Sequence, residues 1–356
     1  MTKQLLLVCA AFLASSCSEE RQANVNKPEI TKGEKNKAEQ KGPVELFDRT
    51  QQIARNDKTY RSIEEALSEA NKVEKLDLSN QDIRNLSDSI ARLKNLSTLW
   101  LHNNSLKILP QSLTHLHNLN ALGLDNNFFD SIPSFLFELK SLTHLSASNN
   151  KLTYLPNSFG DLKHIATLNL YHNKLLSLPH SFGKLANLTN LNLVDNNLDN
   201  LPWSFGQLIN LEIVEIGYNQ LTVLPYFIGN LINMTWFDLS SNQLTELPES
   251  ITNLSNLTGL LLEKNRLTGL PDSIGKLSNL TKLLLKENQI SSLPESIGEL
   301  SNIEWIDIRD NKLNSLPESI GKLTKLTQLY AEGNQFNDEE REKIRRLLPN
   351  CEIKFE

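Results

Sequence analysis

Residues 257–279 read LTGLLLEKNRLTGLPDSIGKLSN, and residues 280–302, which follow directly, read LTKLLLKENQISSLPESIGELSN. Laid over each other, the two blocks share the pattern LxxLxLxxNxLxxLP. Its first position returns at Val73, Leu96, Leu119, Leu142, Ile165, Leu188, Leu211, Met234, Leu257, Leu280, Ile303 and Leu326, always 23 residues apart, with no insertion or deletion. Self-similarity at such a period marks a stack of small units, none of which can bury its apolar face alone. In the first block, Leu260 and Leu262 flank Leu261 on a short strand, so they point inward while Leu261 points out. Stacking these strands about 4.8 Å apart makes a parallel sheet. The chain returns along the other side through Leu267, Leu270, Ile274 and Leu277, with Pro271 fixing an extended turn. The fold class predicted is an α/β solenoid, a horseshoe with the sheet on its concave face, of twelve repeats with a helical cap at each end.

One polar column interrupts the apolar pattern. It runs through Asn104, Asn127, Asn150, Asn173, Asn196, Asn219, Asn242, Asn265, Asn288, Asn311 and Asn334, with Gln81 in the first repeat. Buried amides at one repeated site must bond backbone groups where the strand turns away, and a ladder of Asn does so. Calcium would require carboxylates where these neutral amides stand. The ladder, together with the return segment LPESIGEL at 293–300, resembles the leucine-rich-repeat family in its common bacterial form. The resemblance covers residues 73–336 and implies a protein-recognition scaffold with no catalytic residues and no cofactor.

The 356-residue chain has little room outside this body. Residues 1–16 read as a signal peptide: Lys3 is followed by the apolar run LLLVCAAFLA at 5–14, too short for the roughly 20 residues that span a bilayer. Ala14, Ser15 and Ser16 before Cys17 resemble the lipobox of bacterial lipoproteins, which implies lipidation at Cys17. The sequence departs from that motif in having Ala14 where the family favours Leu, with Leu13 one place earlier. Residues 17–43 then form a charged, nearly apolar-free tether, and the SEE after Cys17 resembles a surface-export tag of some Gram-negative bacteria. Residues 44–72 are an N-terminal helical cap, in which Ser62 and Glu65 have capping-box spacing ahead of Ile63, Ala66, Leu67 and Ala70. Residues 337–356 are its C-terminal counterpart, with Asn337 and Glu340 spaced likewise before Ile344, Leu347 and Leu348. Cys351 is expected to pack as a small hydrophobe. The formal charge of −6 argues against nucleic acid, which requires a basic face.

Function is then sought in strand residues that point outward. Trp236, Leu261, Leu284 and Trp305 fall on consecutive repeats, surrounded by Asp238, Glu263, Lys282, Lys286, Asp307 and Arg309, with Tyr330 beyond. Apolar anchors within a charged rim have the composition of a protein-binding hot spot. Trp100, His102 and Tyr171 form a second, smaller candidate nearer the N-terminus. Catalysis has little support: His115 and His117 face solvent, and His102 and His144 sit two repeats apart with no third ligand or base in evident reach. The reading is a monomeric, exported, lipid-anchored outer-membrane or surface protein that binds a protein ligand and is not an enzyme. A carbohydrate-binding surface, with Trp236, Trp305 and Tyr330 stacking on sugar rings, is one alternative, and a cytoplasmic regulatory scaffold is the other.

Overall fold

The computed structural model describes residues 58–356. The signal segment, Cys17, the tether and residues 44–57 of the N-terminal cap lie outside the described residues. One parallel sheet of 14 strands, paired strictly in chain order, runs the length of the molecule. Its strands are β1 (Thr59–Tyr60), β2 (Lys75–Asp77), β3 (Thr98–Trp100), β4 (Ala121–Gly123), β5 (His144–Ser146), β6 (Thr167–Asn169), β7 (Asn190–Asn192), β8 (Ile213–Glu215), β9 (Trp236–Asp238), β10 (Gly259–Leu261), β11 (Lys282–Leu284), β12 (Trp305–Asp307), β13 (Gln328–Tyr330) and β14 (Glu352–Lys354). From β2 to β13 each residue pairs with the one 23 positions on, as in Gly259 with Lys282, so equivalent positions form straight columns. The solenoid expected from the period is what the chain adopts.

Each return segment carries a short 3-10 helix, in most repeats opened by Pro, because so few residues are available for wider turns. Trp203–Gln207 is an example, following Pro202 at ψ 149° and closed by the Leu208 amide on the Phe205 carbonyl. These helices pack so closely that a Cβ on Gly183 would lie 2.2 Å from the Ser204 carbonyl oxygen. Phe159, Phe182 and Phe205 stack through the centre with ring centroids 6.1 and 6.4 Å apart. The return layer is therefore wider per repeat than the sheet, at about 4.8 Å, and the stack bends with the sheet inside.

The Asn column is buried as a continuous ladder. Asn219 Oδ1 accepts from the Leu198 amide at 3.0 Å, and its Nδ2 donates to the carbonyls of Leu193, Ile216 and Gly217 at 2.9, 3.1 and 3.1 Å. Ile216 accepts a second bond from Asn242, so each such carbonyl ties two ladder rungs together. Gln81 departs from the pattern: its exposed amide turns away to the Arg61 carbonyl at 2.8 Å. The residue just before each rung is left-handed, with φ of 50° at His172, 53° at Tyr218, 55° at Lys264 and 57° at Glu287. Its amide is held by the neighbouring repeat, as Lys264 is by the Lys286 carbonyl at 2.8 Å.

At the ends, α1 (Ile63–Ser68) is capped by Ser62, which accepts from the Glu65 amide, and α2 (Asp338–Leu347) by Asn337, which accepts from Glu340. Acidic residues open α2 and Arg345 and Arg346 close it, the order that suits the helix dipole. Each terminus also adds a strand, β1 or β14, so the sheet edges are closed by more than the helices the sequence suggests. Half-buried Cys351 packs against the core, and burial pushes its thiol up to about 11.

Candidate functional site on the concave face

The strand register decides which outward side chains meet. Trp236 is opposite Gly259, which is opposite Lys282, which is opposite Trp305. Because Gly259 has no side chain, the Trp236 indole lies flat across it: a Cβ there would sit 2.3 Å from the ring. Lys282 Nζ then stands 4.4 Å from the Trp305 ring centroid and 5.9 Å from that of Trp236, within cation–π range of both. Trp305 meets Tyr330 edge-on at 5.8 Å. Arg309 and Lys354 lie over the Tyr330 ring at 5.2 and 4.8 Å. These side chains, with half-buried Leu261 and Leu284, form one continuous aromatic and cationic strip.

The carboxylates differ among themselves. Asp307 is only 3% exposed and is gripped by Arg309, whose Nε donates at 2.9 Å. That bond holds the guanidinium above its ordinary range. Asp307 therefore faces Arg309 within the chain rather than a partner. Asp238 spends one oxygen on the Ser240 amide at 2.8 Å. Asp77, Asn169 and Asn192 hold the amide two residues on in the same way, so this outward column has a structural duty that the sequence reading did not assign it.

The remaining acids are crowded together with little compensation. Burial pushes Glu215 up to about 7, and the Asp238 charge adds to the effect, although Asn192 donates to Glu215 at 2.8 Å. Burial also raises Asp238. Glu263 is pushed up to about 7, first by burial and further by Asp238 and Asp307, with Lys282 opposing. Its Oε2 and the Trp305 Nε1 are both enclosed without a hydrogen-bond partner. Glu215 was not singled out from the sequence; what would have found it is its register with Asp238.

The second candidate divides. Trp100 stacks on His102 at 5.3 Å, and both cover Gly123 as Trp236 covers Gly259. Tyr171 lies three strands away, about 14 Å at the strand spacing. His102 Nδ1 is 3.1 Å from Asp125 Oδ2, a carboxylate within reach that the sequence reading had not seen. Asp125 is 1% exposed, donates its amide to His102 Nδ1 at 3.3 Å, and accepts through Oδ1 from the Ser148 amide at 2.7 Å and from Ser146 Oγ. The arrangement fixes the concave floor, and Ser146 is fully buried, so it presents no nucleophile to solvent. Among the described residues no group of three or more His, Cys, Asp or Glu side chains could hold a metal ion, and no helix is long and apolar enough to cross a membrane.

The family model described as leucine rich repeat matches residues 71–129, 117–175, 156–198, 232–290, 255–313 and 278–336. No curated protein matches the chain. Among solved structures, a leucine-rich-repeat protein of Leptospira interrogans is 29% identical, with TM-score 0.54, covering 84% of this chain and 100% of that one. An internalin of Listeria monocytogenes is similar in fold at 22% identity, with TM-score 0.72 over 81% of each chain. A chain of the Toll–Spätzle complex of Drosophila is 25% identical with TM-score 0.71, and the match covers 80% of this chain but 41% of that one.

Proposed function

Because the chain belongs to the leucine-rich-repeat family, whose scaffolds typically serve protein–protein interaction, we propose that it is a non-catalytic, lipid-anchored surface protein that grips a protein partner on the C-terminal half of its concave sheet. The observation that carries this reading is the strip from Trp236 through Lys282 and Trp305 to Tyr330, laid beside the crowded carboxylates Glu215, Asp238 and Glu263. Half-buried aromatics provide the apolar anchor, and uncompensated acids favour a partner that offers Lys or Arg. The Toll–Spätzle complex is a related solenoid engaged with a protein. Anchoring at Cys17 follows from the lipobox-like residues before it.

A sugar ligand is the weaker reading, because Lys282 already stands over the Trp305 face on which a ring would stack. Immobilised full-length chain, exposed to extracellular proteins of its host's surroundings, is expected to retain a protein ligand whose affinity falls at least tenfold in Trp236→Ala combined with Trp305→Ala. A hot-spot truncation costs about 2 kcal/mol or more. Unchanged affinity in that double variant sinks the assignment of the strip. Fatty-acid labelling of wild type against Cys17→Ser, with protease shaving of intact cells, tests the anchor separately. An unlabelled full-length protein that keeps residues 1–16 and resists shaving would favour a cytoplasmic scaffold.

A further inference from the structure

Of the ten exposed large apolar side chains among the described residues, Ile108, Phe128, Tyr154 and Leu176 are spread one to a repeat, whereas the rest fall on two adjacent repeats. Trp203 is 61% exposed, Tyr226 80%, Val223 52%, Ile209 54% and Ile232 53%. All five belong to the blocks that begin at Leu188 and Leu211, the sixth and seventh of the series, and hence the middle of the arc. Trp203 and Tyr226 open adjacent 3-10 helices on the return side. The equivalent position elsewhere is polar or charged, being Asp88, Gln111, Ser134, Asn157, His180, Glu249, Asp272, Glu295 and Glu318. Between residues 200 and 237 the only charged side chains are Glu212 and Glu215, at or beside strand β8, while Lys184 on the preceding return helix and Glu246 and Glu249 on the following repeat flank the patch.

We propose that this patch is a lipid seat: the sixth and seventh return segments rest on the bilayer to which the N-terminus is attached. The inference builds on the anchor at Cys17 given under Proposed function. Two observations favour a bilayer as the occupant. Trp and Tyr, with an apolar body and a polar tip, are the side chains that settle at the lipid headgroup level. The length of chain outside the structure also fits. From Cys17 to β1 it has 40 intervening residues before Lys58, and extended chain reaches about 3.4 Å per residue, far beyond the roughly 30 Å from β1 to the middle of the sheet. Seated in this way, the solenoid rests on its outer curve with the Trp236–Tyr330 strip turned away from the membrane. An acyl anchor and a surface patch are two signals that reinforce each other.

The test uses the full chain purified from its host and reconstituted into vesicles of phosphatidylethanolamine and phosphatidylglycerol, with and without bromine on the acyl chains. Tryptophan emission is read from vesicle-bound protein. Brominated lipid is expected to quench the share of emission belonging to one of the four tryptophans, and Trp203→Phe should abolish that quenching. Vesicle-bound protein with no quenching, or with quenching that survives Trp203→Phe, overturns the seat and leaves the anchor standing. Protein that does not float with vesicles removes the anchor, and the seat with it. Self-cross-linking of Trp203→Cys on vesicles would assign the patch to a second copy and overturn the proposal as well.

Discussion

Replacing Asn219 by alanine takes away four hydrogen bonds, but their loss is not equally harmful. The Leu198 amide has Asn219 Oδ1 as its partner at 3.0 Å and would be stranded inside the stack. An unsatisfied buried amide costs about 1–3 kcal/mol. The Leu193 and Ile216 carbonyls fare better, because Asn196 and Asn242 still donate to them at 3.1 and 3.0 Å. Losing one of two bonds at each adds about 0.5–1 kcal/mol apiece. The expected destabilisation is therefore about 3 kcal/mol, measured as the shift in urea midpoint at constant slope, with circular dichroism and tryptophan emission followed together so that a non-cooperative transition would be seen. Asn334→Ala is the internal control. That rung is half-buried at the end of the ladder, where water can replace it, and about 1 kcal/mol is expected. If Asn219→Ala were as mild as Asn334→Ala, the ladder would not hold the stack in the way its geometry implies.

Other consequences follow from the same physics. Glu215 is raised in the folded chain from 4.5 to about 7, so the stability associated with its neutral form is complete below pH 4.5 and is lost as pH rises through 7. Glu215→Gln should therefore match wild type near pH 4 and exceed it by about 2 kcal/mol near pH 8 in urea titrations; equal stability at both pH values would remove the burial account. Gly183→Ala, whose new Cβ would meet the Ser204 carbonyl at 2.2 Å, should lower stability by about 2 kcal/mol in thermal melts. Gly269→Ala, with nothing within 4 Å, should be neutral or raise it by up to about 1 kcal/mol. Lys264→Gly at φ 55° should gain on the order of 0.5 kcal/mol, since relief of left-handed strain slightly exceeds the extra entropy of glycine.

The period made the fold legible, because a pattern repeated every 23 residues leaves the chain one way to bury Leu260, Leu262, Ile274 and their equivalents. The inner ladder was legible for the same reason. A second, outer ladder was not: Asn187, Asn210 and Asn233 donate to the carbonyls of Lys163, Ala186 and Ile209 at 2.7–2.8 Å. The signal was present in the Asn that precedes the first position in eight of the twelve repeats, yet an exposed Asn looks like ordinary surface. The left-handed residues were hidden for a different reason. Nothing about Lys264 or Glu287 favours positive φ; the neighbouring repeat imposes it through their amides. The candidate strip was read from the sequence as apolar anchors within a charged rim, but Gly259 lets Trp236 lie down and Arg309 folds onto Asp307. Such choices depend on two or three repeats at once, and no single repeat reveals them.

The seating of Trp236 on Gly259, and of Trp100 on Gly123, bears on how a protein of this kind can change length. Excision or duplication of one 23-residue block restores the backbone pairing, since every block offers its neighbours the same carbonyls and amides. Recognition is not divisible at the same points. A tryptophan moved without the glycine that follows it would be propped upright by whatever side chain took the vacant place, so the heritable unit of the candidate surface is the seam between two blocks, while the heritable unit of the fold is a single block.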